Sequence, residues 1–351
     1  MARAVRLLTA TRRPLMFVGR GAVHAADGLR RLAERLEIPT VAEGRAKGVL
    51  EDRDLLSVGL WGAAQLWDSS DLVILVGSRA RHSVGVWPRR PGQQVLQIDI
   101  DPAHLHDPAP GDVGMVADSA LAVAGLLEAV GRTGPRRSAR REELRGLRDA
   151  RMKTFETRLP DQMRHLRAIR AVLPDDAIIV PDYTQVGYVA CAAFPAFRPG
   201  TLITPGYQGT LGFAFATALG AKVGCPDRPV ISLNGDGGFL FTLPELATAV
   251  KHRIGAISIV FSDGAYGNVR RLQKTVNGGR VIATDLQNPD FVALAQSFGA
   301  HGVRARDELE VGLAVREAMR RDLPTVIDVP VGEMNDPWPL LRPQLPEKAG
   351  G

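Results

Sequence analysis

The chain has 351 residues, 45% hydrophobic and 23% charged, which fits a globular protein of two domains and excludes a disordered or fibrous one. The formal charge of +6 raises nucleic acid as a partner, but the densest basic run, Arg136 to Arg151, is interleaved with Glu142, Glu143 and Asp149 and reads as a solvated face. No apolar run of about 18 residues offers a membrane span, the basic N-terminus has no secretory pattern, and Cys191 and Cys225 give neither a disulfide framework nor metal spacing, so reduced core thiols in a cytoplasmic protein are expected.

Val5 to Ala10 reads as the end of a helix, and Pro14 to Val18 (PLMFV) as a buried strand running into Gly19-Arg20-Gly21. Asp27 to Leu36 has helical spacing at Leu29, Leu32 and Leu36, and Ile38 to Val41 reads as the next strand. Leu72 to Val76 (LVILV) leads to Gly77-Ser78-Arg79, and Val95 to Ile100 leads to Asp101-Pro102. Ser119 to Val130 closes this part as a helix. Strands alternating with helices predict a parallel sheet. Gly-bearing loops after strands suit a dinucleotide, yet no GxGxxG is present. His82, His104 and His106 read as surface histidines, and Trp61, Trp67 and Trp87 as core or interface.

A second parallel domain follows a linker rich in Arg, Glu, Gly and Ser. The boundaries are residues 1–135, linker 136–158, second domain 159–342 and tail 343–351. Gln162 to Leu173 reads as an amphipathic helix, Ala177 to Val180 as a strand leading to Asp182, and Thr201 to Thr204 as another. Phe213 to Ala221 is a helix. Val230 to Leu233 is a strand, after which Gly235-Asp236-Gly237-Gly238 reads as a tight turn. Thr242 and Glu245 fit a capping box for a helix to about Lys251. Ile257 to Phe261 is the next strand, and Ser262-Asp263-Gly264-Ala265-Tyr266-Gly267 closes the unit. Asn268 to Asp285 is expected to include a mobile loop by the site. Asp290 to Phe298 and Leu309 to Arg320 are helices, and Thr325 to Val329 is the last strand.

In a βαβ unit both strand ends lie on one edge of the sheet, so Asp236 and Asp263 share that edge. Two hard oxygen ligands beside Gly-rich backbone suit Mg²⁺ or Ca²⁺ holding a diphosphate. For Gly235-Asp236-Gly237 alone, a tight turn with a solvated carboxylate fits as well.

The stretch from Val230 to Asn268 resembles the cofactor motif of thiamine-diphosphate-dependent enzymes, which opens with Gly-Asp-Gly and ends in Asn or Asp. Asp263 stands 27 residues after Asp236, a separation typical of the family. The commoner ending has paired Asn, where this chain has Ser262-Asp263. Pro205 to Phe213 (PGYQGTLGF) resembles the segment beneath the cofactor's hinge in acetolactate synthase-like and benzoylformate decarboxylase-like members. Tyr183 to Tyr188 falls where the family contacts the diphosphate, although a helix start capped by Thr184 explains it nearly as well. PLMFVGRGA, DLVILVGSR and QIDIDP resemble the family's middle domain.

The resemblance implies two three-layer αβα domains with parallel sheets. It implies a Mg²⁺ site of Asp236, Asp263 and the carbonyl of Ala265. Leu211 would bend the thiamine diphosphate, and the Gly209 carbonyl would accept from its pyrimidine amino group. Cofactor contacts would come from Thr184, Gln185, Gly209, Thr210, Leu211, Gly235, Asp236, Gly237, Gly238, Asp263, Ala265, Tyr266, Gly267 and Asn268. The middle domain holds FAD or an adenine nucleotide in some members; a structural role is expected here. The N-terminal pyrimidine-binding domain, with the glutamate that activates the cofactor, is expected on a separate partner chain in a heterotetramer. The expected function is that of the cofactor-anchoring subunit of a carboligase or decarboxylase of a 2-keto acid, with no nucleic acid or membrane partner. The alternatives are a non-catalytic or truncated homologue, and a nucleotide- or flavin-binding oxidoreductase.

Overall fold

The computed structural model describes residues 1–80, 86–105, 109–131, 139–206 and 208–345. The expectations for His82, His106 and Tyr207, part of the linker and the end of the tail lie outside them. The chain divides into two compact units: Met1–Thr154 with Pro195–Gly200 and Trp338–Gly351, and Phe155–Phe194 with Thr201–Pro337.

In the first unit, α1 (Ala2–Ala10) precedes β1 (Pro14–Val18), α2 (Ala26–Leu36), β2 (Thr40–Ala42), α3 (Gly59–Leu66), β3 (Leu72–Val76), β4 (Gln94–Asp99), β5 (Val113–Val116), α4 (Ser119–Val130) and α5 (Ala139–Arg158), whose last residues belong to the second unit. The sheet is parallel, in the order β2-β1-β3-β4-β5. Strands β1 and β3 are buried at every position, so helices must cover both faces. Helix α2 turns Leu29, Leu32, Ala33 and Leu36 inward and ends where Glu37 turns left-handed. Asp118 starts α4 by accepting from the amides of Ala120 and Leu121. A β-carbon on Gly19 would strike the Gly77 carbonyl, and one on Gly77 would strike Gly21. Contact between these loops accounts for the glycines without a ligand. Trp67 and Trp87 are buried edge to face, and Trp61 is half-buried. His104 is half-buried near Asp99 and Asp101, rather than standing free on the surface.

The second unit carries α6 (Pro160–Val172), β6 (Ile178–Pro181), α7 (Gln185–Ala193), α8 (Phe213–Gly224), β7 (Val230–Gly235), α9 (Asp236–Thr242), α10 (Glu245–Lys251), β8 (Ile257–Ser262), α11 (Gly267–Val276), α12 (Phe291–Ser297), β9 (His301–Arg304), α13 (Glu308–Ala318) and β10 (Thr325–Pro330). Its sheet, again parallel, has the order β6-β7-β8-β10-β9. Phe239 of α9 packs against Phe215 of α8 and Phe291 of α12, with ring centroids 5.0 and 6.0 Å away. Burying each such ring contributes about 2–3 kcal/mol. This cluster fixes α9, and with it the start of the helix at Asp236. No helix of the described residues is long and apolar enough to cross a membrane.

Five local expectations change. Gly235 to Gly238 is no turn: the strand ends at Gly235 and the helix begins at Asp236, so Gly237 and Gly238 sit in its first turn. Thr242 and Glu245 form no capping box, because the Thr242 hydroxyl donates to the Gly212 carbonyl and Pro244 precedes α10 without a side-chain cap. Thr201 to Thr204 makes one bridge, Leu202 beside Ile179, and no strand. Asn268 to Asp285, expected to include a mobile loop, is helix in its first half: α11, which has no buried residue, is tied by Arg270–Asp285, Arg271–Asp336 and Lys274–Glu333 pairs. The cysteines form no disulfide, and both are half-buried rather than core.

Candidate functional site

Strands β6, β7 and β8 lie side by side, and each is followed at once by an aspartate: Asp182, Asp236 and Asp263. Parallel pairing sets the three at one edge of the sheet. A cleft opens there, lined by both Asp236 and Asp263.

Asp236 is 2% exposed. Its Oδ1 accepts from the Gly237 amide at 2.8 Å. Its Oδ2 accepts from the Gly264 amide at 2.8 Å and from Asn288 Nδ2 at 2.7 Å. A carboxylate at the start of a helix also meets the positive end of its dipole.

Asp263 is half-buried, and its Oδ1 accepts from the Ala265 amide at 3.1 Å. Burial, and then the charge of Asp236, push its carboxyl above the ordinary carboxylate range. Residues 284–286 run antiparallel along the loop: the Tyr266 amide donates to the Thr284 carbonyl, and the Leu286 amide to the Gly264 carbonyl. Ala265 and Asp285 are thus a pair without mutual hydrogen bonds. In such a pair the main-chain groups point away from the partner. The Ala265 amide is spent on Asp263, and its carbonyl faces the same side.

Leu211 also lines the cleft. It precedes Gly212, whose φ of +82° is the left-handed backbone that only glycine takes without strain. Helix α8 begins there without a cap of its own. Instead Asp182 Oδ2 accepts from the Ala214 amide at 3.2 Å, while Oδ1 accepts from the Tyr183 amide at 2.7 Å. Burial raises the Asp182 carboxyl, and these amides partly offset it. Asp182 therefore ties the Leu211 turn to the end of β6.

Of the sequence-predicted residues, Thr184, Gln185, Leu211, Gly235, Asp236, Gly237, Gly238, Asp263, Ala265, Tyr266, Gly267 and Asn268 come together around this cleft. Gly209 and Thr210 do not line it and are exposed. Gly209 lies against the Tyr183 hydroxyl, which stands where its β-carbon would be. Tyr183, Tyr188, Phe261 and Val269 also line the cleft, beyond the predicted set. Burial and neighbouring Tyr183 push the Tyr188 hydroxyl up to about 12. Asp182 and Asn288 were missed as well. Asp182 could have been found by the same strand-end position as the other two, whereas Asn288 carries no local signal.

The donor set suits a hard cation. Among the described residues no three His, Cys, Asp or Glu side chains converge as a metal site. A cation here would take two carboxylates and complete its shell from main-chain carbonyl, phosphate and water oxygens, as Mg²⁺ does. Side chains along the wall would displace the site: a β-carbon on Gly237 would lie 2.5 Å from the Tyr266 ring, and one on Gly267 2.6 Å from Asp263 Oδ2. Gln185 Oε1 is buried without a partner among the described residues, an acceptor left for a ligand or its water. The residues present fit the group.

Residues 1–126 match the family model described as thiamine pyrophosphate enzyme, central domain, and residues 182–329 the one described as thiamine pyrophosphate enzyme, C-terminal TPP binding domain. The acetolactate synthase large subunit of Parasynechococcus marenigrum is 32% identical over 98% of this chain and 58% of its own length. That of Corynebacterium glutamicum is 32% identical over 96% of this chain and 58% of its own. A probable 2-ketoarginine decarboxylase of Pseudomonas aeruginosa is 32% identical over 88% of this chain and 56% of its own. The chain thus spans less than two thirds of the length of these relatives. With paired aspartates at neighbouring strand ends, two parallel α/β units, and both family models matched in order, the chain belongs to the thiamine pyrophosphate enzymes, of which it carries the central and the TPP-binding domains.

Proposed function

We propose that this chain anchors thiamine diphosphate through a divalent cation, Mg²⁺, in an acetolactate synthase-like enzyme that acts on a 2-keto acid as carboligase or decarboxylase. One observation carries the reading: the cleft presents two aspartates and, among the described residues that line it, no Lys, Arg or His. A diphosphate cannot approach such a surface without a cation between. Asp236, Asp263 and the Ala265 carbonyl would hold the ion. Thr184, Gln185 and the backbone at Gly237, Gly238, Gly267 and Asn268 would meet the diphosphate. Leu211 would fill the bend of the cofactor, and the Gly209 carbonyl would receive the pyrimidine amino group. Bound, the cofactor supplies the electron sink for loss of CO₂ from the 2-keto acid; the protein binds, bends and shields it.

Among the described residues, no glutamate lines the cleft. We read the activating glutamate as the contribution of a separate chain with a pyrimidine-binding domain. The relatives' names cover both a synthase of acetolactate and a decarboxylase of 2-ketoarginine, so the 2-keto acid class is common ground and the particular substrate is not. The test is to mix the chain with Mg²⁺ and thiamine diphosphate, with and without such a partner, and follow cofactor binding and CO₂ release from a panel of 2-keto acids. Binding by the chain with turnover only in the mixture is expected. Absence of both in every mixture would end the proposal.

A further inference from the structure

We infer that Asn288 is a positioning residue that makes the cation site prefer Mg²⁺ over Ca²⁺, by restricting Asp236 to one ligating oxygen. This rests on the cation reading above.

The two oxygens of a carboxylate offer about four acceptor positions. Three on Asp236 are taken. Gly264 N and Asn288 Nδ2 fill both positions of Oδ2, and Gly237 N fills one of Oδ1. What remains is a single position on Oδ1. A cation can therefore meet this aspartate through one oxygen only. Mg²⁺ accepts single-oxygen ligation in a tight octahedron, whereas Ca²⁺ takes more oxygens and readily uses a carboxylate through both.

Asn288 is delivered to this place by the fold. It follows the segment bonded along Gly264–Tyr266, in which Thr284 is buried and Leu286 lies 3.1 Å from the β-carbon position of Gly237. Its orientation is set by Asp236 rather than by its own needs, because Asn288 Oδ1 is buried with no partner among the described residues. Turning the amide over would set two acceptor oxygens face to face. The site keeps the donor on Asp236 and leaves the other end of the amide unsatisfied. The pattern is that of an outer residue orienting a ligand, the class whose loss weakens metal affinity about 10–100-fold.

The experiment titrates Mg²⁺ and Ca²⁺ into the full chain with saturating thiamine diphosphate, by calorimetry and by quenching of tyrosine fluorescence. The variants are Asn288→Ala and the isosteric Asn288→Asp. In Asn288→Ala, Mg²⁺ affinity should fall about 10–100-fold and Ca²⁺ affinity much less, so that the preference for Mg²⁺ drops about tenfold. Asn288→Asp keeps the shape, loses the donor and adds an acceptor, and should move the preference toward Ca²⁺ further still. A merely structural role would weaken both ions by one factor and lower the apo melting temperature. An unchanged Mg²⁺-to-Ca²⁺ ratio in the folded variants overturns the inference while wild-type binding upholds the cation reading. Wild-type protein that binds neither ion overturns both.

Discussion

Removing the Asp236 side chain tests the centre of the site. In Asp236→Ala three donors lose a charged acceptor: the amides of Gly237 and Gly264 and the Asn288 side chain. Each hydrogen bond to a charged group contributes about 1.5–3 kcal/mol. The full sum is an upper bound, because Asp236 lines an open cleft and water can enter to replace part of what is lost. Loss of Asp236 also removes the repulsion that helps raise the Asp263 carboxyl, which works in the opposite direction. A net loss of about 2–4 kcal/mol in the apo protein is expected, together with loss of Mg²⁺-dependent thiamine diphosphate binding. Asp236→Asn should do no better, since its amide would turn a donor toward one or more of the same three donors. Urea unfolding measures the first effect, and cofactor titration at fixed Mg²⁺ the second. An unfolding midpoint within error of wild type, with cofactor affinity within about threefold, would refute the role of Asp236 both as hub and as ligand.

Asp263→Asn should raise the apo melting temperature at neutral pH, because Asp263 has its carboxyl raised above its ordinary 3.8 and so holds its proton more tightly folded than unfolded; the gain should shrink as pH falls through the raised value, and wild-type Mg²⁺ affinity should weaken in that same window while the variant's stays flat. Gly212→Ala forces a β-carbon into φ +82° and within 2.9 Å of Phe241 Cβ, and should cost about 2 kcal/mol or more in denaturant unfolding; a loss under about 0.5 kcal/mol would mean that the Leu211 turn relaxes freely.

What could be read from the sequence was what burial writes locally. Leu72 to Val76 is apolar throughout because both faces of β3 are covered, and its limits were legible to the residue. Strand β5 carries Gly114 and alternates between half-buried and exposed, and β9 begins with His301, so neither stands out as an apolar run. Helix α11 has no buried residue and no side-chain cap, and it is held by ion pairs to Asp336 and Glu333 far along the chain. Its sequence therefore looks like loop. Thr242 carries a capping signature, but its hydroxyl is diverted to Gly212 by the packing of α9 beside α8. At the site, Asp236 and Asp263 were visible because strand-end chemistry repeats in sequence. The bond from Asn288 to Asp236 spans 52 residues and follows from the pairing of 284–286 with the loop after β8.

The electrostatics of the cleft set an order of dependence that can be measured without turnover. Three aspartates end three adjacent strands, and burial raises two of them, Asp182 and Asp263. The charge of Arg270 eases Asp263, but its guanidinium is already paired with Asp285 at 3.0 Å. A unit charge about 4 Å from another, near a protein surface, interacts by about 4 kcal/mol. A diphosphate placed against Asp236 and Asp263 alone is thus repelled by several kcal/mol, and one divalent ion between them reverses the sign. Cation and cofactor should therefore each raise the affinity of the other, by about 100-fold or more and, by linkage, by the same factor. Titrating thiamine diphosphate with and without Mg²⁺, and Mg²⁺ with and without thiamine diphosphate, closes the cycle. Cofactor affinity in a chelator within threefold of that in Mg²⁺ would show that the diphosphate is held by something other than an ion between Asp236 and Asp263.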